Sequence, residues 1–237
     1  MLRSPLRCAR GLVVLAILGL ALERPLSAQD QQGGAWFAFA GAGSFDYPRR
    51  ASPWRWWLDA HARFFERSAF DTSIVRPGVG YHLGGGSTLW AGYAWIRSDP
   101  RDAAAFDEHR IWQQYTWGEK SDVGSLFART RLEQRFDDRG GEVGWRLRQF
   151  LRWTKYFPGS DSWGLRVWNE FFFDLNQTDW GQDPGLSQNR FFAGLGWQPD
   201  PDTNLVLEVG YLNQFLRRED GEDGMNHIIG TTLLWLR

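Results

Sequence analysis

Val143-Gly144-Trp145-Arg146-Leu147-Arg148-Gln149-Phe150-Leu151-Arg152-Trp153-Thr154-Lys155-Tyr156 is the stretch on which the fold turns. Its odd positions carry Val143, Trp145, Leu147, Leu151 and Trp153, and its even ones Arg146, Arg148 and Arg152. Alternation of this kind has the period of a β-strand, in which successive side chains leave opposite faces. Trp145 and Trp153 stand eight residues apart on one face. At about 3.3 Å per residue that is roughly 26 Å along the strand. A tilt of about 40° turns it into roughly 20 Å of height, close to the apolar band of about 25 Å that a transmembrane barrel presents to lipid.

Working outward, ten more runs are bounded by Gly, Pro, Asp, Asn and Ser. They are Ala35–Gly41, Trp54–Glu66, Ser73–Leu83, Thr88–Arg97, His109–Trp117, Val123–Phe136, Trp163–Leu175, Asn189–Trp197, Asn204–Leu216 and His227–Leu236. In Trp54–Glu66, Trp54, Trp56, Leu58, Ala60, Ala62 and Phe64 share a face opposite Arg55, Asp59, His61 and Arg63. In Val123–Phe136, Leu126, Ala128, Leu132 and Phe136 oppose Arg129, Arg131, Glu133 and Arg135. In Trp163–Leu175, Leu165, Val167, Phe171 and Phe173 oppose Arg166, Glu170 and Asp174. Several runs exceed the usual strand of about 5–6 residues and reach the roughly 9–11 that a membrane strand needs.

A soluble barrel with an apolar interior would alternate too. Run length, the density of arginine on the polar face and the tryptophan spacing favour the inverse arrangement, with lipid outside and charge inside. The expectation is an all-β, single antiparallel transmembrane β-barrel of ten to twelve strands, occupying residues 29–237 as one domain. Single-chain bacterial barrels ordinarily have an even strand count with both termini periplasmic, which leaves Ala35–Gly41 as the odd piece: a plug, an extra strand or half of an unresolved pair. The long links Ser98–Glu108, Asn176–Gln188 and Arg217–Asn226 read as outer loops, and the shorter ones as periplasmic turns. Trp145, Trp153, Trp163, Trp197 and Trp235 are the expected aromatic girdle.

Composition agrees. The chain holds 15 Trp and 17 Phe, yet 23% of it is charged and its mean hydropathy is −0.45. A helical membrane protein would be more apolar. Arg3, Arg7 and Arg10, the apolar run Gly11–Leu22 and the small-residue close Leu26-Ser27-Ala28 read as a cleavable signal peptide over residues 1–28. Cys8 would leave with it, so the exported chain would have no thiol chemistry, disulfide or cysteine-based metal site. The near-neutral charge gives no reason to expect nucleic acid. The expected location is the bacterial outer membrane, with its lipid and the barrel-insertion machinery as partners. The close Thr231–Arg237 looks like a terminal insertion signal, although Arg237 replaces the usual aromatic.

From Phe127 onward the chain resembles the outer-membrane barrel family called domain of unknown function 2490. The resemblance is carried by Arg131-Leu132-Glu133-Gln134-Arg135, Trp145-Arg146-Leu147-Arg148, Asn169-Glu170, Gln188-Asn189-Arg190 before Gly194-Leu195-Gly196, Glu208-Val209-Gly210-Tyr211, and Asn226-His227. It implies a barrel and an exported location, and brings no activity.

The candidate site is the inward polar ladder: Arg129, Arg131, Glu133, Arg135, Arg146, Arg148, Arg152, Arg166, Glu170, Asp174, Arg190 and Glu208. Cross-strand neighbours on one face lie about 5 Å apart, and arginine forks match carboxylates bidentately. Such a ladder either fills the lumen and stiffens the wall or forms a narrow eyelet that favours anions. A lumen of about eight strands is filled by side chains and one of about sixteen is open, so filling is expected here. The expected role is a structural or interaction component, or a narrow anion-leaning, porin-like conduit, without catalytic residues, cofactor or metal.

Two alternatives belong to other classes: a soluble periplasmic binding barrel, and a lipid-modifying enzyme using His61 with Asp59 as base and orienter. No Gly-x-Ser-x-Gly elbow or His-Glu-x-x-His site accompanies that pair. His82, His109 and His227 read as structural. The acidic loop residues Asp99, Asp102, Asp107, Asp179, Asp183, Glu219, Asp220, Glu222 and Asp223 read as solvated, a bridging cation being the sharper alternative. Gly78, Gly80, Gly92, Gly194, Gly196, Gly210 and Gly230 read as relief of curvature or as room for arginine and tryptophan side chains across the strand.

Overall fold

The computed structural model describes residues 30–46, 52–66, 68–101, 103–200, 202–218 and 222–236, and the backbone alone at 68–70. The expected signal segment, together with Asp102, Glu219, Asp220 and Arg237, lies outside the described residues. The elements are β1 (Asp30–Ser44), β2 (Trp54–Phe65), β3 (Ser68–Gly84), β4 (Ser87–Ser98), β5 (Phe106–Ser121), β6 (Gly124–Asp137), β7 (Val143–Tyr156), β8 (Trp163–Asp174), β9 (Gly185–Trp197), β10 (Leu205–Leu216) and β11 (Gly224–Leu236). Among the described residues there is no helix.

Each strand pairs with the next in antiparallel register, and β1 returns to β11 to close the barrel. That closing pair is parallel, from Asp30↔Gly224 to Ala42↔Leu236. The barrel has eleven strands, within the ten to twelve expected, and the odd number corrects the expectation of a wholly antiparallel wall with both termini at one end. The reason is Ala35–Gly41, which belongs to a full strand of 15 residues. An odd number of hairpin-linked strands leaves the first and last running the same way. Asp30 and Leu236 consequently mark opposite ends of the barrel. We refer to the Asp30 end, with links 66–67, 99–105, 138–142, 175–184 and 217–223, and to the Leu236 end, with links 45–53, 85–86, 122–123, 157–162 and 198–204.

Period-two patterning sets the two surfaces. Phe37, Leu58, Val79, Leu89, Ile111, Trp145, Leu195, Val209, Ile229 and Leu233 are exposed on the outside. Arg131 and Glu133, both 0% exposed, lie inside with Arg148, Arg166, Glu170 and Glu208. The interior is not wholly ionic, a correction to the simple picture of charge within. Ile74, Trp90, Ala94, Ile96 and Trp112 form one buried apolar cluster, and Trp36, Phe192, Leu212 and Ile228 another. Glycine makes the first possible: a Cβ on Gly78 would come within 2.7 Å of Trp112 Cζ2, and one on Gly80 within 2.6 Å of Trp90 Cδ2. Pro77 has no N–H to give the ladder, and the β3–β4 register passes from Val75↔Trp95 to Gly78↔Gly92.

Polar residues on the outer face come in bonded pairs. Gln113 and Gln134 exchange two hydrogen bonds, of 3.1 and 3.0 Å. Thr130 donates to Gln149 at 2.6 Å, and Asn189 to Asn169 at 2.9 Å. His109 and His227 also face outward, hydrogen-bonded through Nδ1 to Tyr93 and Tyr211 and stacked on their rings.

Candidate functional site

The lumen is crossed by ion pairs. β6 presents Arg129, Arg131, Glu133 and Arg135 inward, and the register sets Arg131 opposite Arg148 and Glu133 opposite Arg146. Two guanidinium groups facing each other demand a carboxylate between them. Glu133 supplies it: Arg148 Nη1 lies 2.6 Å and Arg110 Nη1 3.1 Å from its oxygens, with Arg131 Nη1 at 3.7 Å. Arg148 also donates through Nη2 to Glu170 at 2.8 Å, and Arg129 reaches Glu170 at 2.6 Å from the second strand away.

Toward the Asp30 end, Arg110 forks onto Glu108 at 2.7 and 2.8 Å, Arg135 joins the same carboxylate, and Arg146 pairs with Asp174. Toward the Leu236 end, Arg152 and Arg166 share Glu208 at 3.5 and 3.4 Å. The Arg129–Glu170 and Arg152–Glu208 pairs link strands two and three positions apart, bracing the wall beyond its neighbour-to-neighbour ladder.

Aromatic rings fill the space between these charges. Phe172 is sandwiched by Arg148 and Arg190, whose guanidinium carbons stand 4.5 and 4.6 Å from its centroid. Arg131 lies 4.5 Å over Trp112, and Arg63 4.1 Å over Trp36. Guanidinium on a desolvated ring gains from the ring's quadrupole. Gly196 allows Arg166 its place, since a Cβ there would stand 2.8 Å from the guanidinium carbon.

All twelve ladder residues expected from sequence face the lumen side of the wall, eleven of them in ion pairs with another member of that set. Arg135 adds Glu108 and Gln182, and Arg190 stacks on Trp36 and Phe172. Of the girdle residues, Trp145 stands near the Asp30 end and is 42% exposed, and Trp163, stacked on Trp197 with centroids 6.0 Å apart, is 45% exposed at the Leu236 end. Trp153 and Trp235 lie at that same end, Trp235 packed 5.2 Å from Trp56.

Sequence reasoning confined the ladder to β6–β10. The structure adds Asp59 and Arg76, paired at 2.6 Å, with Glu108, Arg110, Gln114 and Trp112. Strict alternation in β5 was the signal available for Glu108 and Gln114. It also adds the link 175–184, which folds back over the Asp30 end. Gln182, 2% exposed, accepts from Arg135 Nη1 at 3.0 Å and donates to the Trp145 and Asn176 carbonyls, and Trp180 covers Arg135 at 4.8 Å. Just outside the strands, two hydrogen bonds to Asp137 raise the Arg139 pKa above its ordinary value.

His61 and Asp59 do meet, at 3.1 Å, but Arg76 Nη2 points at the same His61 nitrogen from 2.8 Å and Trp57 Nε1 donates to Asp59 at 2.7 Å. Both groups are occupied by structural partners, and among the described residues no hydroxyl is hydrogen-bonded to His61. His82 bonds Thr88 at 3.3 Å. His109 and His227 stand on the outer face, away from His61. Asp107, in β5, accepts from Trp95 and Arg97 of β4, and Asp179 ties two links together by accepting from the Gly141 and Glu142 amides. Among the described residues no group of three or more His, Asp or Glu is placed to hold a metal ion.

Two cavities flank the centre. The larger, about 880 Å³, opens at the Leu236 end, and the smaller, about 220 Å³, lies toward the Asp30 end. Arg76, Arg148 and Arg190 line both, so the partition between them is built from these three side chains with Asp59, Glu133, Glu170 and Phe172.

These features define a class: a closed eleven-stranded β-barrel with apolar side chains outside and a partitioned, arginine-rich lumen. The chain belongs to the family described as protein of unknown function (DUF2490), which matches residues 33–226. It is also similar to an uncharacterised protein of Methylorubrum extorquens, 35% identical over 170 residues that cover 70% of this chain and 73% of that protein. No solved structure matches the chain.

Proposed function

We propose that the protein is an outer-membrane β-barrel, exported by residues 1–28, that serves as a structural or interaction component with a closed lumen. The single observation that carries this reading is the reversal of polarity: exposed Phe, Leu, Val, Ile and Trp around a wall whose lumen side holds buried, ion-paired arginine. Hydrocarbon offers no hydrogen bonds, so outward polar groups are tolerable only when they satisfy one another. The Gln113–Gln134, Thr130–Gln149 and Asn169–Asn189 pairs meet that demand. The lengths of links 99–105, 175–184 and 217–223 support an orientation with the Asp30 end outside the cell and the Leu236 end toward the periplasm and the insertion machinery. Membrane fractionation tests this: retention through high salt and alkaline carbonate with release by detergent is expected. Release by salt alone would overturn it.

A narrow anion conduit is the second reading, favoured by the surplus of guanidinium over carboxylate in the lumen. Arg63, Arg76, Arg110, Arg129, Arg131, Arg135, Arg146, Arg148, Arg152, Arg166 and Arg190 face Asp59, Glu108, Glu133, Glu170, Asp174 and Glu208. Planar-bilayer recording separates the two. The closed lumen predicts silence at moderate voltage, and discrete anion-selective steps would establish the conduit.

A further inference from the structure

The larger cavity is chemically two-sided. One wall is apolar and built small: Ala38, Ala40 and Ala42 of β1 leave room beside Leu234, Leu212 and Phe192. The facing wall brings Arg129, Arg152 and Arg166 from β6, β7 and β8, with Lys120 near the mouth. Those guanidinium groups are incompletely satisfied. Arg152 and Arg166 share one carboxylate, Glu208, at distances too long for good hydrogen bonds. Arg129 Nε and Arg152 Nε have no hydrogen-bond partner among the described residues, and neither does Glu208 Oε1. Buried polar atoms are ordinarily paired, so orphans beside a cavity call for an explanation. The volume, about 880 Å³, falls within the roughly 300–1,000 Å³ typical of small-molecule sites, which are likewise mostly apolar with a few placed polar groups.

We infer that this cavity binds an amphiphilic anion, entering from the Leu236 end with its apolar body along β1, β10 and β11 and its carboxylate or phosphate head on Arg152, Arg166 and Arg129. The inference rests on the closed-lumen reading above, because the partition at Arg76, Arg148 and Arg190 is what makes the cavity a blind pocket. Glu208 pairs with Arg152 and Arg166 and competes with the head group for them. Its neutralisation therefore strengthens binding, whereas a merely structural cluster would be weakened by the same change.

The test uses the purified full barrel in a non-ionic detergent and native mass spectrometry with decanoate, decyl phosphate, decanol and inorganic phosphate as probes. One equivalent of decanoate or decyl phosphate should be retained saturably, with little decanol or phosphate; the preferred head group separates a fatty acid from a lipid phosphate source. Arg152→Gln and Arg166→Gln should each weaken binding about tenfold, the loss of one charge-assisted bond, and Glu208→Gln should tighten it several-fold. Arg97→Gln, at an ion pair away from the cavity, is the control and should change nothing. Equal retention of decanol, tight binding of phosphate alone, unsaturable uptake, or weaker binding by Glu208→Gln in a folded barrel would each overturn the site. A large steady conductance in bilayers would instead overturn the closed-lumen reading, so the two failures are distinguishable.

Discussion

Glu133→Gln removes the charge at the hub of the partition and changes almost nothing in volume. The carboxylate is fully buried and receives Arg148 at 2.6 Å and Arg110 at 3.1 Å, with Arg131 at 3.7 Å. Glutamine keeps one acceptor oxygen but presents an amide to guanidinium groups that cannot accept a hydrogen bond. Breaking a buried pair by removing one partner costs about 3–5 kcal/mol, because the other charge stays buried without compensation. Arg148 retains Glu170 and Arg110 retains Glu108, so the low end, about 3 kcal/mol, is expected. Arg131 keeps Gln114 at 2.8 Å and the Trp112 ring.

The assay is urea unfolding in lipid vesicles read by tryptophan emission, where a shifted midpoint at unchanged slope reports stability alone. Adding Arg148→Met to Glu133→Gln should recover part of the loss, with a coupling energy of about 1–3 kcal/mol between the two sites. A Glu133→Gln barrel within about 0.5 kcal/mol of the parent, the scatter of a neutral surface change, would refute the hub.

Val167→Arg, on the outward face of β8, should cost about 2–4 kcal/mol in lipid vesicles, while Trp235→Arg at the rim should cost about 0–1 kcal/mol; equal penalties in a folding titration would contradict a lipid belt. Gly78→Val drives a side chain into Trp112 and should destabilise by about 1–3 kcal/mol, with a changed near-ultraviolet circular dichroism spectrum. Gln182→Ala strips Arg135 and the half-buried Trp145 and Asn176 carbonyls of a partner and should cost about 1–3 kcal/mol. Faster proteolysis within 175–184 is expected with it.

Much of the wall was legible because a strand in a closed sheet separates two environments residue by residue, so Trp145-Arg146-Leu147-Arg148 declares its own geometry. β1 was less so. Gly33, Gly34, Ala35, Ala38, Ala40, Gly41 and Ala42 are small on both faces, and alternation between small residues has little amplitude. Parallel closure is not a property of any single strand and leaves no trace in local pattern. The ladder's membership was readable from its inward parity, but its pairings were not. Arg129 meets Glu170 two strands away and Arg152 meets Glu208 three strands away, which depends on how the wall curves and shears as it closes. The fold-back of 175–184 was hidden because a polar loop with one tryptophan looks solvated until its Gln182 is seen under Arg135.

The seam between β1 and β11 has a topological consequence. Every other joint in the wall is made by strands adjacent in the chain, whereas this one unites the two most distant, so its closure entropy is the largest. Its slanted bonds are also slightly weaker per residue than antiparallel ones. The cylinder is thus a ribbon with a single late-made weld. Because the weld joins strands that point the same way, reporter tags fused ahead of Asp30 and behind Leu236 would emerge from opposite mouths, giving each protein molecule a built-in compass for sidedness.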